Sequence, residues 1–182
     1  MKYTYSDWNH KQGSIPVFWT DDDYESLEWK DNHDNRGYLT SQENYEIYGK
    51  RLGLQILKYE QKDRGIFLPD KIRKVFDVAP TFFNLNKIVY SFMKYPVGNI
   101  LPWHRDNYPV YQKLNNVSDI ENIVRIIVFL HDSQPGEQLW IGDKICQGPA
   151  GSWFAWSGST EHMAANLSKK PRYVLQITGT TE

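Results

Sequence analysis

The residues best suited to catalysis or metal binding lie in the stretch from Tyr95 to Tyr111, which reads YPVGNILPWHRDNYPVY. His104 and Asp106 lie two positions apart near its centre, and His162 follows much later. Two imidazoles and one carboxylate form the 2-His-1-carboxylate set that binds non-haem Fe(II) and leaves adjacent metal positions open. We therefore take His104, Asp106 and His162 as candidate metal ligands and as the candidate catalytic centre.

A basic residue, Arg172, follows His162 by ten positions. A 2-oxo acid could chelate two of the open metal positions and O₂ could take the third. A guanidinium matches the far carboxylate of such an acid through two parallel hydrogen bonds. The structural alternatives are a surface turn for His104 and Asp106, a hydrogen-bonded core position for His162, and a turn cap or surface ion pair for Arg172.

The elements that must position these residues are short β runs in residues 87–182, separated by Gly and Pro. The predicted strands are Lys87–Tyr95, Leu101–His104, Asn122–Leu130, Leu139–Ile141, Lys144–Cys146, Ser152–Trp156, Glu161–Asn166 and Arg172–Thr178. A Gly142-Asp143 turn joins two of them as a hairpin. About eight short strands in such a series predict an antiparallel sandwich or jelly roll.

The first half of the chain differs, and it predicts supporting helices with one strand, Ile15–Trp19. Acidic residues favour a helix start in Asp21–Lys30, and helical spacing continues across Ser41–Leu57. Turn formers fill Asp31–Gly37. Another helix is predicted to open at Leu68-Pro69 and to end before Pro80. We interpret residues 1–182 as a single domain, with residues 1–86 as support for a catalytic core in residues 87–182.

Strand parity tests whether the candidate residues can share a face, because side chains alternate along a strand. If the LSKKP turn pairs Asn166 with Arg172, one polar face carries His162, Ala164, Asn166, Arg172, Val174, Gln176 and Thr178. The opposite, largely apolar face carries Met163, Ala165, Tyr173, Leu175 and Ile177. The polar face would line a cavity and the apolar face would meet the helices. A slip of one residue would reverse this assignment.

The composition of the chain limits the classes of partner and the kinds of site that we expect. The net charge is −1 with both signs interspersed, so no global field favours nucleic acid or an anionic membrane. The single cysteine, Cys146, excludes an intrachain disulfide and a Cys-rich metal site. The start of the chain, MKYTYSDWNHKQG, is polar and unlike a signal peptide, and no apolar run approaches a membrane span. We expect a cytoplasmic protein.

Residues 87–182 resemble the 2-oxoglutarate/Fe(II)-dependent dioxygenase superfamily through the order HxD, distant His, then Arg, here His104, Asp106, His162 and Arg172. The YPVG stretch from Tyr95 resembles the prolyl-hydroxylase branch. The ending HMAANLSKKPRYVLQI resembles aspartyl/asparaginyl β-hydroxylases. The resemblance implies a mainly β, cupin-like double-stranded β-helix with Fe(II), 2-oxoglutarate and O₂. It also allows ascorbate as an accessory reductant. Arg172 would anchor 2-oxoglutarate and Tyr95 would lie near it.

The resemblance implies hydroxylation of an unactivated C–H bond in an amino acid, a peptide or protein side chain, or another small molecule, with release of succinate and CO₂. Related halogenases carry Gly or Ala at the position of Asp106, so hydroxylation is favoured. Two alternatives stay open. One is a cupin-like metal- or ligand-binding protein without oxygenase activity. The other is an oxidative demethylase of nucleic acid, against which the near-neutral charge counts.

The sequence departs from the prolyl-hydroxylase pattern at Phe129, where that branch carries a Tyr that helps bind the distal carboxylate. No Ser stands two positions after Arg172, as it does in some relatives. Arg125, which shares strand parity with Phe129, is a candidate to compensate. A buried Arg needs an anionic partner, and three are open here: 2-oxoglutarate, a substrate carboxylate or a structural acid.

The remaining candidates surround the motif. Asn166 could hydrogen-bond near the metal or start the following turn. Trp103, Tyr108 and Tyr111 could shape a substrate entrance or serve as ordinary packing. Together with Arg125, this aromatic rim favours a substrate that is a carboxylate-bearing amino acid or peptide.

Overall fold

The strands form two antiparallel sheets that face each other. The computed structural model describes residues 2–5, 7–31, 67–69 and 74–181. In chain order its strands are β1 (Lys11–Ser14), β2 (Trp29–Asp31), β3 (Phe67–Pro69), β4 (Asn86–Tyr95), β5 (Asn99–His104), β6 (Ile123–Phe129), β7 (Glu137–Ile141), β8 (Lys144–Ile145), β9 (Ser152–Ser157), β10 (His162–Asn166) and β11 (Arg172–Thr180).

The winding of the chain is that of a jelly roll. The large sheet has the order β1-β9-β6-β11-β4-β3-β2, and the small sheet has the order β5-β10-β7-β8. From β4 onward every connection crosses between the two sheets except the β7–β8 hairpin, and this winding is the double-stranded β-helix. All eight strands predicted in residues 87–182 are present, with ends within two residues of the prediction. The predicted fold class is confirmed.

The helices of the described residues are short. They are α1 (Asp22–Glu25), a 3₁₀ helix at Lys74–Phe82, α2 (Pro109–Asn115) and a 3₁₀ turn at Ile120–Asn122. None of these helices has the length and apolar character needed to cross a membrane.

Several predictions for the first half of the chain were wrong in detail. The strand expected at Ile15–Trp19 lies earlier, at β1, because Pro16 has no N–H to continue a ladder. The helix expected from Asp21 is present as α1 but ends at Glu25. The helix expected at Leu68-Pro69 is instead β3, which pairs with β2 and β4. Pro80 lies inside the 3₁₀ helix rather than beyond it. The predicted helix at 41–57 and the turn residues 32–37 lie outside the described residues.

The predicted pairing across the LSKKP turn was also wrong, although the assignment of faces was right for β11. β10 pairs with β5 and β7, whereas β11 pairs with β4 and β6 in the other sheet. The turn therefore crosses between sheets. Tyr173, Leu175 and Ile177 still face the apolar side, and Val174 still faces the cavity side.

The main core lies on the outer face of the large sheet. Side chains from β6, β9 and β11 pack there against aromatic residues of the N-terminal segments. Trp153 has no exposed surface and contacts the rings of Tyr3, Trp8 and Phe83. This packing holds the large sheet from outside and leaves its inner face to meet the small sheet.

Replacing Leu175 with Ala tests this core. Leu175 is fully buried, so we expect Leu175→Ala to lower the free energy of unfolding by about 2–5 kcal/mol through lost contacts and a cavity. Leu114→Ala, at a side chain that is 78% exposed, is the matched control and should change it by less than about 0.5 kcal/mol. Urea denaturation measures both. Equal losses in the two variants would contradict the assigned core.

Candidate metal centre and cavity

The small sheet brings the two candidate histidines side by side. His104 ends β5 and His162 begins β10, and the two are directly paired in the antiparallel ladder. Their ring centroids lie 4.2 Å apart. Asp106 follows β5 by two residues, and one ligand atom from each of the three lies within 4.8 Å of the others. Sequence positions 58 residues apart therefore meet at one point.

A β-bulge gives His104 its direction. The register shifts so that Ala164 pairs with Leu101 while His162 pairs with His104. With regular alternation, Leu101 and His104 would point to opposite faces, because they are three residues apart. The extra residue at Pro102-Trp103 places both side chains on the cavity wall. Pro102 lacks the N–H that an unbroken ladder would use.

Both imidazoles present their Nε2 atoms to Asp106. The Nδ1 of His104 donates to the Pro102 carbonyl at 2.8 Å, and the Nδ1 of His162 donates to the Thr160 carbonyl at 3.0 Å. A carbonyl accepts and does not donate, so the Nε2 atoms carry the lone pairs. Burial lowers the pKa of His104, and it lowers the pKa of His162 to about 4 with help from the neighbouring His104. Neutral imidazole is the form that binds metals.

Asp106 is kept ionised in a buried position. Its Oδ2 accepts from the Tyr108 hydroxyl at 2.8 Å and lies 3.1 Å from Nη2 of Arg125. Burial would raise the pKa of Asp106, but the Arg125 guanidinium, the two imidazoles and the Tyr108 hydroxyl together hold it well below its usual range. Within the described chain, Oδ1 accepts no hydrogen bond and faces Nε2 of His104 at 3.7 Å.

Tyr108 links these groups at the cost of backbone strain. Its backbone is left-handed, with φ at +43°, which is an outlier for a bulky residue. The strained position begins α2 and brings the hydroxyl to Asp106, while Nε of Arg125 donates to the same hydroxyl at 3.3 Å. The guanidinium also lies over the Tyr108 ring at 4.8 Å. Of the three partners left open for Arg125, the structure supplies an acid, Asp106 itself.

The donor set fits a divalent metal. Each Nε2 lies 3.7 Å from an Asp106 oxygen, too far for a hydrogen bond. Ligand atoms that each bind a metal at about 2.1 Å lie about 3 Å apart when their bonds are at right angles. The three ligand atoms lie within 4.8 Å of one another, so they would move together by up to about 2 Å to close on an ion. Two imidazoles and a carboxylate suit Fe(II) and several neighbouring first-row metals.

A cavity of about 320 Å³ opens directly on this cluster. Its floor belongs to the large sheet, with Ser91 and Met93 on β4, Ile127 on β6 and Gln176 on β11. The small sheet and α2 supply its walls, through Leu101, Leu139, Ala164, Tyr108, Pro109, Val110 and Tyr111. The volume is in the lower part of the range for small-molecule sites.

Arg172 lies buried beside the cavity but does not border it. It is 3% exposed and starts β11 opposite Tyr95, which does border the cavity. Its guanidinium lies 5.4 Å from the Tyr95 ring and 5.2 Å from the Phe129 ring. Nη1 donates to the Gln138 carbonyl at 2.7 Å, and no carboxylate of the described residues forms an ion pair with it. Burial lowers the pKa of Arg172 and raises that of Tyr95 to about 12.

Asn166 serves the turn after β10. Its Nδ2 donates to the carbonyls of Tyr95 and Lys170, both at 2.8 Å, and its Oδ1 accepts from the hydroxyl and the amide of Ser168. It does not border the cavity. These contacts support the turn rather than the metal-side alternative.

The aromatic candidates divide between two places. Tyr108 and Tyr111 line the cavity, and the Tyr111 hydroxyl donates to the Lys87 carbonyl at 2.8 Å. Trp103 does not line it and packs against Trp140, 6.3 Å away. Trp156 also lines the cavity, and its ring lies 4.6 Å from that of His162.

Two polar floor residues, Ser91 and Gln176, were missed as site residues by sequence reasoning. Strand alternation could have identified both residues, because Ser91 shares a face with Tyr95, and Gln176 shares a face with Arg172.

Replacing Tyr108 with Phe tests the support of Asp106. Tyr108→Phe keeps the ring but removes the hydrogen bond to Asp106, so we expect metal affinity to fall about 10–100-fold. Tyr111→Phe is the matched control, since the Tyr111 hydroxyl bonds the Lys87 carbonyl and not a candidate metal ligand. Calorimetric titration with Co(II) measures both. Unchanged affinity in Tyr108→Phe would show that the hydroxyl does not hold the carboxylate.

Comparisons with known proteins identify no family. No family model matches the sequence, and no curated protein matches it. Among solved structures, a cupin protein from Bacteroides fragilis is 16% identical with a TM-score of 0.37, over 52% of this chain and 66% of that one. A predicted oxalate decarboxylase from Thermotoga maritima is 14% identical with a TM-score of 0.41, over 63% of this chain and 80% of that one. Likenesses this distant carry no functional argument, and the fold assignment rests on the strand order described above.

Proposed function

We propose that this protein is an Fe(II)- and 2-oxoglutarate-dependent dioxygenase that hydroxylates a C–H bond of an amino acid, peptide or other small molecule. The observation that carries the proposal is the cluster of His104, Asp106 and His162, which faces a cavity with two neutral imidazoles and one ionised carboxylate. When bound there, Fe(II) would couple the decarboxylation of 2-oxoglutarate to succinate and CO₂ with transfer of one oxygen atom of O₂ to the substrate.

The three ligands would hold the metal from one side and leave its other side to the cavity. Arg125 and Tyr108 would keep Asp106 charged and oriented, because both contact its Oδ2. Apolar side chains around the cluster, among them Leu101, Leu139 and Trp156, would limit access of water.

Arg172 is the proposed anchor for the distal carboxylate of 2-oxoglutarate. It is a buried cation without an ion-pair partner among the described residues, and a buried charge is costly unless it is paired. Glu137 acts on Arg172 electrostatically but forms no ion pair with it, so a bound carboxylate would supply a direct anionic partner. This role requires the cavity to extend past the Tyr95 ring, which contacts both the cavity and the guanidinium.

A second candidate is a jelly-roll metalloprotein without oxygenase activity. Two observations favour it: Arg172 does not border the cavity, and Phe129 offers a ring but no hydroxyl beside the guanidinium. In that case Arg172 would serve the structure through its contacts with Gln138, Tyr95 and Phe129. The two candidates differ in whether the site recognises 2-oxoglutarate.

Anaerobic titration tests the proposal. Fe(II)-loaded protein should develop the weak visible charge-transfer band of a 2-oxo acid chelate when 2-oxoglutarate is added, and should release succinate in air. Arg172→Ala removes two-point hydrogen bonding to the carboxylate, so the 2-oxoglutarate concentration for half-maximal absorbance should rise about 10–100-fold. Arg105→Ala, at a side chain that is 59% exposed, is the matched control and should leave it unchanged.

The outcomes separate the two candidates. Wild-type protein that binds metal, shows no chelate band and releases no succinate would exclude the dioxygenase and favour the metalloprotein. Metal affinity measured in Arg172→Ala and Arg172→Lys verifies that each variant keeps the folded site.

A further inference from the structure

Two uncharged polar side chains stand on the cavity floor without partners. Gln176 on β11 and Ser91 on β4 are directly paired in the antiparallel ladder. Both border the cavity, and neither side chain makes a hydrogen bond or ion pair with any described residue. The neighbouring floor residues Met93 and Ile127 are apolar, and Arg125, two positions before Ile127 on β6, borders the same cavity. The pair is therefore the uncharged polar part of the floor.

This pair lies away from Arg172 along β11. Gln176 follows Arg172 by four positions on one face of the strand, which corresponds to about 13 Å. α2 borders the cavity on this side, where the Tyr111 hydroxyl bonds the Lys87 carbonyl. The part of the floor formed by Gln176 and Ser91 is called the neutral end here; Arg172 lies buried behind Tyr95, and the metal cluster lies on the opposite sheet.

No unpaired Lys or Arg of the described residues borders the neutral end. Among the described residues that border the cavity, Arg125 is the one Lys or Arg, and its charge is already opposed by Asp106 at 3.1 Å. An anion brought into this end would lose its hydration without gaining a countercharge. The contacts of Arg125 therefore do not support the carboxylate-bearing substrate that the sequence favoured.

An amide group suits the pair. The Gln176 side chain offers two N–H donors and a carbonyl acceptor, and the Ser91 hydroxyl can donate or accept. Directly paired residues on antiparallel strands have Cα atoms about 4.5–5.5 Å apart, so both side chains can reach one ligand group. A carboxamide or peptide group carries both a donor and an acceptor and would satisfy both side chains at once.

We infer that Gln176 and Ser91 select the substrate by binding an uncharged amide group and by rejecting the carboxylate of the same shape. The inference deepens the proposed function, on which it rests for the reaction that follows binding. It assigns the substrate class as a carboxamide or peptide amide, held at the neutral end of the floor.

Binding of a matched pair of probes tests this inference. Benzamide and benzoate have the same shape and differ in charge, and ligand-detected NMR can measure each with metal-free protein. We expect Arg172→Ala protein, which lacks the proposed carboxylate anchor, to bind benzamide at least about tenfold more tightly than benzoate. Gln176→Met should weaken benzamide binding about tenfold, and Ser91→Ala about threefold. Gln12→Met, at an exposed glutamine on edge strand β1, is the matched control and should have no effect.

A variant that introduces a positive charge distinguishes a change of ligand preference from a simple loss of binding. Gln176→Lys supplies the missing countercharge, so it should shift the preference towards benzoate. Thermal unfolding verifies that each variant is folded. Equal or tighter binding of benzoate by Arg172→Ala protein, failure of benzamide to bind, or an unchanged preference in Gln176→Met would each overturn the inference.

The test does not depend on iron, 2-oxoglutarate or O₂. Amide preference without a chelate band would leave this inference intact and remove the dioxygenase. A chelate band without amide preference would support the dioxygenase and overturn this inference.

Discussion

The ion pair between Asp106 and Arg125 is the interaction on which the candidate site depends. A carboxylate buried beside two imidazoles would ordinarily be protonated, because low polarity disfavours its charge. Arg125 and the Tyr108 hydroxyl reverse that preference by contacting one oxygen, Oδ2, and they leave Oδ1 open towards His104. A single charged partner thus both maintains the ligand's charge and determines which oxygen is available.

The two faces of the large sheet have different roles: the outer face forms the main core and the inner face borders the cavity. The outer face of the large sheet is covered by N-terminal aromatic residues, which form the main core. The inner face needs no such covering, because the small sheet lies opposite and the cavity opens between them. Polar and ionisable groups can therefore collect inside without interrupting the main core. The strained turn at Tyr108 is compatible with this arrangement because packing on both sides holds it in place.

Two different kinds of polar group lie along one face of β11. A buried cation begins the strand and a neutral polar pair lies at its middle. The metal cluster belongs to the opposite sheet. In the proposed function, this separation would allow a charged co-substrate and an uncharged substrate group to bind at different distances from the same ion. Arg125 does not by itself indicate an anionic substrate, because it is paired with Asp106.

The sequence by itself determined the candidate ligand types, the eight strands of residues 87–182 and the faces of β11, because these follow from local alternation and from residue chemistry. Tertiary structure decided which strands and which side chains lie opposite one another. It placed β10 and β11 in different sheets, turned His104 inward through the bulge at Pro102-Trp103, paired Arg125 with Asp106, and set Arg172 behind Tyr95. Local patterns could not predict these relations, since sheet order, register shifts and ion pairing depend on contacts between residues distant in the chain.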